Sequence, residues 1–218
     1  MKKNILSLSV LFVAVAIIFS SCTKDDVGAP TISITGDNPY VIELGGTWTD
    51  PGAIANDEED GNITSKMTVT GTVNTDKVDE YSIVYKVTDK AGNEGSATRK
   101  VRVKADKIAA TYRVTETYAD NTTYEYTQTV AISSQGWNKL VLNSFADFGQ
   151  ASVLTLTAGP TGLTGVNYSF TDADGTANIK NITGTYGKVG TDYNVLTIKY
   201  SFDEGGNATV INQTYVRQ

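Results

Sequence analysis

The chain lacks histidine altogether and has one cysteine among its 218 residues. Without histidine, Ser-His and Cys-His nucleophilic pairs, the HExxH zinc helix and most transition-metal sites are excluded. The lone Cys22 can form neither an intramolecular disulfide nor a Cys-based zinc site. Basic residues are also in deficit: 18 Lys and Arg face 24 Asp and Glu, giving a net charge of −6. Such a chain has no electrostatic footprint for nucleic acid. Beyond Cys22 there is no sustained 3.6-residue apolar period, no GxSxG elbow and no GxxxxGK[ST] phosphate loop. What is present is Gly in excess of Pro (20 against 4) and a surplus of Thr, Val and Tyr. That composition favours strands and turns over helices and predicts an all-β protein.

The N-terminus reads as an address. Lys2 and Lys3 precede an apolar stretch from Ile5 to Phe19, broken only by Ser7 and Ser9. This is shorter than the ~20 residues a transmembrane helix needs, and it fits a secretory signal peptide over residues 1–21. The exit Phe19-Ser20-Ser21-Cys22 resembles the lipobox of bacterial lipoproteins. The resemblance implies that Cys22 becomes the first mature residue, carries lipid and opens a tether over 22–29. Lys24, Asp25 and Asp26 then resemble the surface-export signal of one group of Gram-negative bacteria, which implies the outer face of the outer membrane. The alternatives are an ordinary signal peptide before a free cysteine, and a solvated tether. Without residues 1–21 the chain holds 16 basic and 24 acidic residues, a balance of −8.

Two β-regions follow, with the best boundary near Lys104-Ala105-Asp106-Lys107. Residues 30–106 alternate with period 2 at Thr31–Thr35, Tyr40–Leu44 and Tyr81–Thr88. Another strand fits Lys66–Thr70, and Asp89-Lys90-Ala91-Gly92-Asn93 makes a hairpin turn into Gly95–Val103. Ile83, Tyr85 and Val87 share one face, with Val101 and Val103 opposite. The segments Thr49-Asp50-Pro51-Gly52-Ala53, Asp60-Gly61-Asn62-Ile63-Thr64 and Tyr81-Ser82-Ile83-Val84-Tyr85, in this order, resemble a bacterial immunoglobulin-like domain family of surface lipoproteins. The resemblance implies a β-sandwich in which Tyr81 acts as a tyrosine corner, Ile83 replaces the cysteine of antibody domains and Trp48 packs inward. Asp79 stands where that family usually has Gly.

Residues 107–218 hold nine of the twelve tyrosines. Eight strands are predicted, at Thr111–Tyr118, Tyr124–Ser133, Lys139–Asn143, Ser152–Thr157, Val166–Phe170, Asn178–Tyr186, Tyr193–Phe202 and Thr209–Val216. That number fits an antiparallel β-barrel or sandwich. Segments such as Asn143-Ser144-Phe145 and Ile182-Thr183-Gly184-Thr185-Tyr186 resemble lipocalin-like C-terminal domains of surface lipoproteins.

The candidate sites are few. Asp57, Glu59 and Asp60, in the acidic run 57–62, offer hard oxygen ligands for Ca²⁺; a solvated inter-strand loop is the alternative. Asp172-Ala173-Asp174-Gly175 begins like a calcium loop, but the sixth and twelfth positions are Ala177 and Thr183 rather than Gly and Glu. Tyr124 and Tyr126 share a strand face with Gln128, and Trp137 follows Gln135-Gly136 near a strand edge. All three aromatics are candidates for stacking on sugar rings, with plain packing as the alternative. No catalytic set, cofactor or assigned metal is expected. The reading is a non-catalytic surface lipoprotein, accessory to polysaccharide capture or uptake, with the immunoglobulin-like domain as spacer. The alternative is a structural or adhesive protein that partners an outer-membrane transporter. Hydrolysis by paired carboxylates is a third reading, which no spacing supports.

Overall fold

The structure, a computed structural model, describes residues 25–147, 153–171, 176–189, 192–204 and 206–218. The signal segment, Cys22, Lys24 and the Asp172–Gly175 turn lie outside the described residues. No helix among the described residues is long and apolar enough to cross a membrane.

Seven strands build the N-terminal domain: β1 Thr31–Ile34, β2 Tyr40–Glu43, β3 Ala53–Asp57, β4 Gly61–Asn62, β5 Thr68–Thr70, β6 Asp79–Thr88 and β7 Glu94–Lys104. They form two sheets, β1-β3-β4 and β2-β7-β6-β5, and β2 runs parallel to β7. The period-2 pattern sets the inner faces: Ile83, Tyr85, Val87, Val101 and Val103 are all buried. Trp48 packs edge-on against Tyr40, with ring centroids 5.1 Å apart. Tyr81 is a tyrosine corner as expected, its hydroxyl donating to the Asn74 carbonyl at 2.9 Å. Residues 64–66 form a 3-10 turn, so β5 begins two residues later than the sequence pattern suggests.

This sandwich holds a charge in its core. Arg99 is fully buried, on the face of β7 that carries Val101 and Val103. Its guanidinium donates to the carbonyls of Asp37 (2.6 Å), Thr35 (2.6 Å) and Gly52 (2.9 Å) and to the Tyr85 hydroxyl (3.1 Å). Asp50 neutralises it at 3.3 Å and also accepts the Tyr85 hydroxyl at 2.6 Å. The Thr49–Ala53 segment therefore has a physical role. Asp50 supplies the counter-charge, and Gly52, at φ +81°, turns its carbonyl toward the guanidinium.

The C-terminal domain is a closed barrel. Its strands are β8 Ala110–Thr117, β9 Thr123–Ile132, β10 Lys139–Asn143, β11 Val153–Gly159, β12 Gly162–Gly165, β13 Tyr168–Thr171, β14 Thr176–Val189, β15 Asp192–Glu204 and β16 Asn207–Arg217. Apart from β12 and β13, which do not pair with each other, each pairs antiparallel with its neighbours in the chain; β16 returns to β8, and β12 closes the ring onto β14. The short β12 and β13 pair with successive stretches of β14, so together they act as one stave of eight. The strand expected at Val166–Phe170 is found as β13, beginning two residues later, and β12 before it was not expected. Asn181, at φ +56°, bulges out of β14 opposite the gap between β12 and β13, and its N–H donates to Asn167 Oδ1 at 2.9 Å. Closure onto β14 needs glycine, because a Cβ on Gly162 would lie 2.3 Å from the Gly184 carbonyl oxygen. Between an open sandwich and a barrel, the chain takes the barrel.

Apolar side chains fill its middle: Val114, Val130, Leu140, Leu142, Leu154, Leu156, Leu196 and Ile198 are buried. This core continues into the sandwich through Leu44, Val78, Val103 and Ala105. Polar bonds cross the same junction. Tyr186 accepts the Val78 N–H at 2.8 Å and donates to the Gly159 carbonyl at 2.8 Å. Asp76 meets both Lys188 and the Tyr193 hydroxyl, and the Ala105 N–H donates to the Trp137 carbonyl at 3.0 Å. The immunoglobulin-like domain is therefore a fixed stem under the barrel.

The chain is also polar end to end. Asp26 lies beside the β6–β7 turn, where the Asn93 amide donates to its carbonyl at 3.3 Å. That turn is at the end of the sandwich remote from the junction. The barrel's other rim, at the ends of β8 and β13 and the start of β9, faces the opposite way. β7 has 11 residues and β15 has 13. At about 3.3 Å per residue, β7 is roughly 36 Å long and β15 roughly 43 Å.

Candidate functional site

The distal mouth is built from neighbouring staves. On β8, Tyr112, Val114 and Glu116 point inward; on β9, Tyr124 and Tyr126 continue the inward face of Gln128 and Val130. On β16, Ile211, Gln213 and Tyr215 do the same, and Tyr200 comes from β15. The period of two thus brings a carboxylate, an amide and four phenols into one end of the barrel.

Glu116 is 4% exposed. A buried carboxylate is costly unless hydrogen-bonded, and this one is. The Tyr200 hydroxyl donates to its Oε1, and Gln213 Nε2 donates to the same oxygen at 3.1 Å. Gln213 also donates to the Tyr126 hydroxyl at 2.8 Å and accepts the Tyr215 hydroxyl at 2.8 Å. Burial, and then the Glu116 charge, push the Tyr200 phenol far above its ordinary pKa. Tyr118, at the end of β8, is shifted the same way for the same two reasons. These phenols stay protonated and act as donors. Deeper in, the Tyr168 hydroxyl is buried with no hydrogen-bond partner among the described residues. Above this floor Tyr124 is 63% exposed and meets Tyr118 edge-on, with centroids 5.6 Å apart.

The two sequence candidates on β9 therefore come together, with Tyr124 at the rim and Tyr126 in the hydrogen-bonded floor. Trp137 goes elsewhere. It sits half-buried at the junction, at the opposite end of the barrel, with Arg102 over its ring at 6.0 Å. One of its faces is occupied by a protein cation, as suits a residue that joins two domains. Sequence reasoning passed over Glu116 and Gln213. Their parity with flanking apolar residues was a usable signal, but polar side chains on a strand usually mean the solvent face.

The acidic run is split. Asp57 and Glu59 gather with Asp26, their carboxylate oxygens within 4.8 Å of one another. Asp60 turns away to Lys90, at 2.8 Å, and to Lys66, at 3.8 Å. The Lys90 ammonium holds the Asp60 carboxyl below its usual pKa. Asp57 caps its own turn, accepting the N–H groups of Glu59 and Asp60 at 3.1 and 2.8 Å. Of the Ca²⁺ candidates Asp57, Glu59 and Asp60, the structure thus gathers Asp57 and Glu59 with Asp26 and pairs Asp60 with lysine. Two recesses lie elsewhere. A cavity of about 220 Å³ at the junction has Glu43, Lys107, Tyr193 and Arg217 in its wall, but Glu43 pairs with Lys107 at 3.2 Å and Lys188 covers the Tyr193 ring. A groove on the outer wall is lined by Thr183, Thr185, Thr197 and Thr214 and has no aromatic.

Comparison with known proteins bears on the stem. Residues 32–103 match the bacterial surface protein Ig-like domain. The match spans the sandwich, and its two packed sheets agree with an Ig-like fold. No curated protein matches the chain. Among solved structures, a lipoprotein from Bacteroides thetaiotaomicron is 18% identical, with a TM-score of 0.35 over 87% of this chain and 100% of that one. The CBM51-2 module in complex with GlcNAc and INT domains, from ZmpB of Clostridium perfringens, is also 18% identical. Its TM-score is 0.30 over 86% of this chain and 44% of that one. At this degree of superposition neither defines a ligand for the present chain.

Proposed function

We propose that the chain is a non-catalytic, lipid-anchored surface protein that holds a glycan at the distal mouth of its barrel, with the Ig-like domain as a rigid stem. The observation that carries the reading is Tyr124, a solvent-exposed ring over a floor of hydrogen-bonding groups from Glu116, Tyr126 and Gln213. Sugar rings present apolar C–H faces and polar edges, so an aromatic platform beside fixed donors and acceptors suits them. The polarity of the chain supports the same reading. A lipid on Cys22 would hold the end that begins at Asp26, and the mouth would open away from the membrane. Surface export through Lys24, Asp25 and Asp26 would place it outside the cell.

Detergent-solubilised full-length protein on immobilised polysaccharides tests the site. Retention that is lost in Tyr124→Ala is expected. Absence of retention on every polysaccharide, with co-purification of an outer-membrane protein, would overturn the glycan reading in favour of a protein partner. Protease shaving of intact cells should remove the barrel; a protected barrel contradicts surface exposure. Cys22→Ala should release the chain from membranes, and unchanged retention contradicts the anchor.

A further inference from the structure

We infer that the mouth selects its glycan by charge, admitting neutral or amine-bearing rings and rejecting carboxylated or sulfated ones. This rests on the mouth being a glycan site, and it comes from a charge distribution that only the folded topology reveals. Four of the barrel's seven cations lie at the junction. Lys107 pairs with Glu43, Lys139 reaches Thr157 at the start of β10, Lys188 meets Asp76, and Arg217 ends β16. The distal pole carries the opposite sign. Glu116 lies in its floor, Asp120 in the β8–β9 turn, Glu125 on β9 and Asp203 near the end of β15. Toward this pole, Lys180 is paired with Asp203 at 3.7 Å, and Lys199 lies exposed on the outer wall of β15, level with Thr117 at the end of β8. The segments joining β10 to β11 and β13 to β14, residues 144–152 and 172–175, contain no Lys or Arg in sequence.

Position makes Glu116 the decisive group. An exposed acid is screened within ~8–10 Å at ordinary salt, whereas a buried one is screened much less. Glu116 is bonded by neutral donors only, Tyr200 and Gln213, so its charge has no protein cation beside it among the described contacts. An anionic ring seated on Tyr124 meets that charge with no arginine or lysine to receive its own. A neutral ring meets an acceptor, and an ammonium meets a counter-ion.

Matched β-1,4-linked hexamers of glucose, glucosamine and glucuronate, and of mannose and mannuronate, test this by calorimetry on the detergent-solubilised full-length protein. Within each set the linkage is shared and the charge changes. The neutral or amino member should bind at least about tenfold more tightly than the uronate, a difference of ~1.4 kcal/mol. Raising the salt should narrow the gap, but only in part, because Glu116 is buried. Glu116→Gln should narrow it further, with far-UV circular dichroism checking that the barrel is intact. The salt series on the unaltered protein stands if that variant does not fold. A uronate that binds as tightly as its neutral partner overturns charge selection and leaves the glycan site standing. If no hexamer of any charge binds, the glycan reading itself falls and charge selection falls with it.

Discussion

The sandwich and the barrel each bury a charged side chain, and they satisfy it in opposite ways. In the sandwich, Arg99 spends its donors on three backbone carbonyls and the Tyr85 hydroxyl, with Asp50 as counter-ion. Every partner belongs to the fold, and the arginine locks the β1–β2 and β2–β3 connections onto β7. In the barrel, Glu116 has no cationic partner among the described residues; Tyr200 and Gln213 hold it by hydrogen bonds. A closed network of the first kind stabilises a stem. The second kind leaves a buried acid at the distal end of the barrel, near the exposed Tyr124 ring.

Substitutions should separate the two. Arg99→Ala is expected to have the largest effect, a loss of about 3–5 kcal/mol in urea unfolding, because it leaves Asp50 and three carbonyls without their donor. Glu116→Gln keeps an acceptor for Tyr200 and should cost only about 1 kcal/mol. A comparable loss in both variants would erase the distinction. Next in size is Leu44→Ala at the junction, which should cost ~2–5 kcal/mol. Because Leu44 belongs to the core that runs into the barrel, the intact chain should melt in one transition and the variant in two. Two transitions in the unaltered chain would show that the stem is not fixed.

Alkaline pH should strike the barrel first. Burial pushes the Tyr112 phenol up to about 12, and its hydroxyl donates to the Ile108 carbonyl at 2.6 Å. The unfolded chain gives up this proton near pH 10. The protonated phenol therefore contributes its full stabilisation below pH 10, and this is lost as pH rises through about 12. Tyrosinate absorbance and barrel unfolding should rise together across that window. The smallest effect is expected at Asp76, whose carboxyl is held below its usual pKa chiefly by the hydrogen bond from Lys188. Its contribution is present above pH 3.8 and disappears as pH falls below that value. Asp76→Asn should cost under about 1 kcal/mol, since the pair is half-exposed.

Much of this fold was legible in the sequence because strand parity is a strong signal when apolar residues carry it. Ile83, Tyr85 and Val87 marked the β6 face, and eight staves were countable from turns rich in Gly, Asp and Asn. Polar residues at apolar parity escaped notice. Arg99 lies two residues before Val101, and Glu116 lies two after Val114. Each reads as solvent-facing until its partners, far away in the chain, are placed around it. Trp137 shows the complementary limit. Its neighbour Gly136 suggested a strand edge or loop tip, and Trp137 does lie in the β9–β10 connection, but Arg102 from the other domain sits over one face of its ring, a contact that no local pattern announces.

The sharpest test of a structural junction and a binding mouth compares two aromatic truncations in one titration against a polysaccharide that the unaltered protein retains. Tyr124→Ala should abolish binding and leave the melting temperature in place, because that ring is mostly in solvent. Trp137→Ala should lower the melting temperature and leave binding intact. Binding that survives Tyr124→Ala and is lost in a folded Trp137→Ala would contradict the account and move the site to the junction.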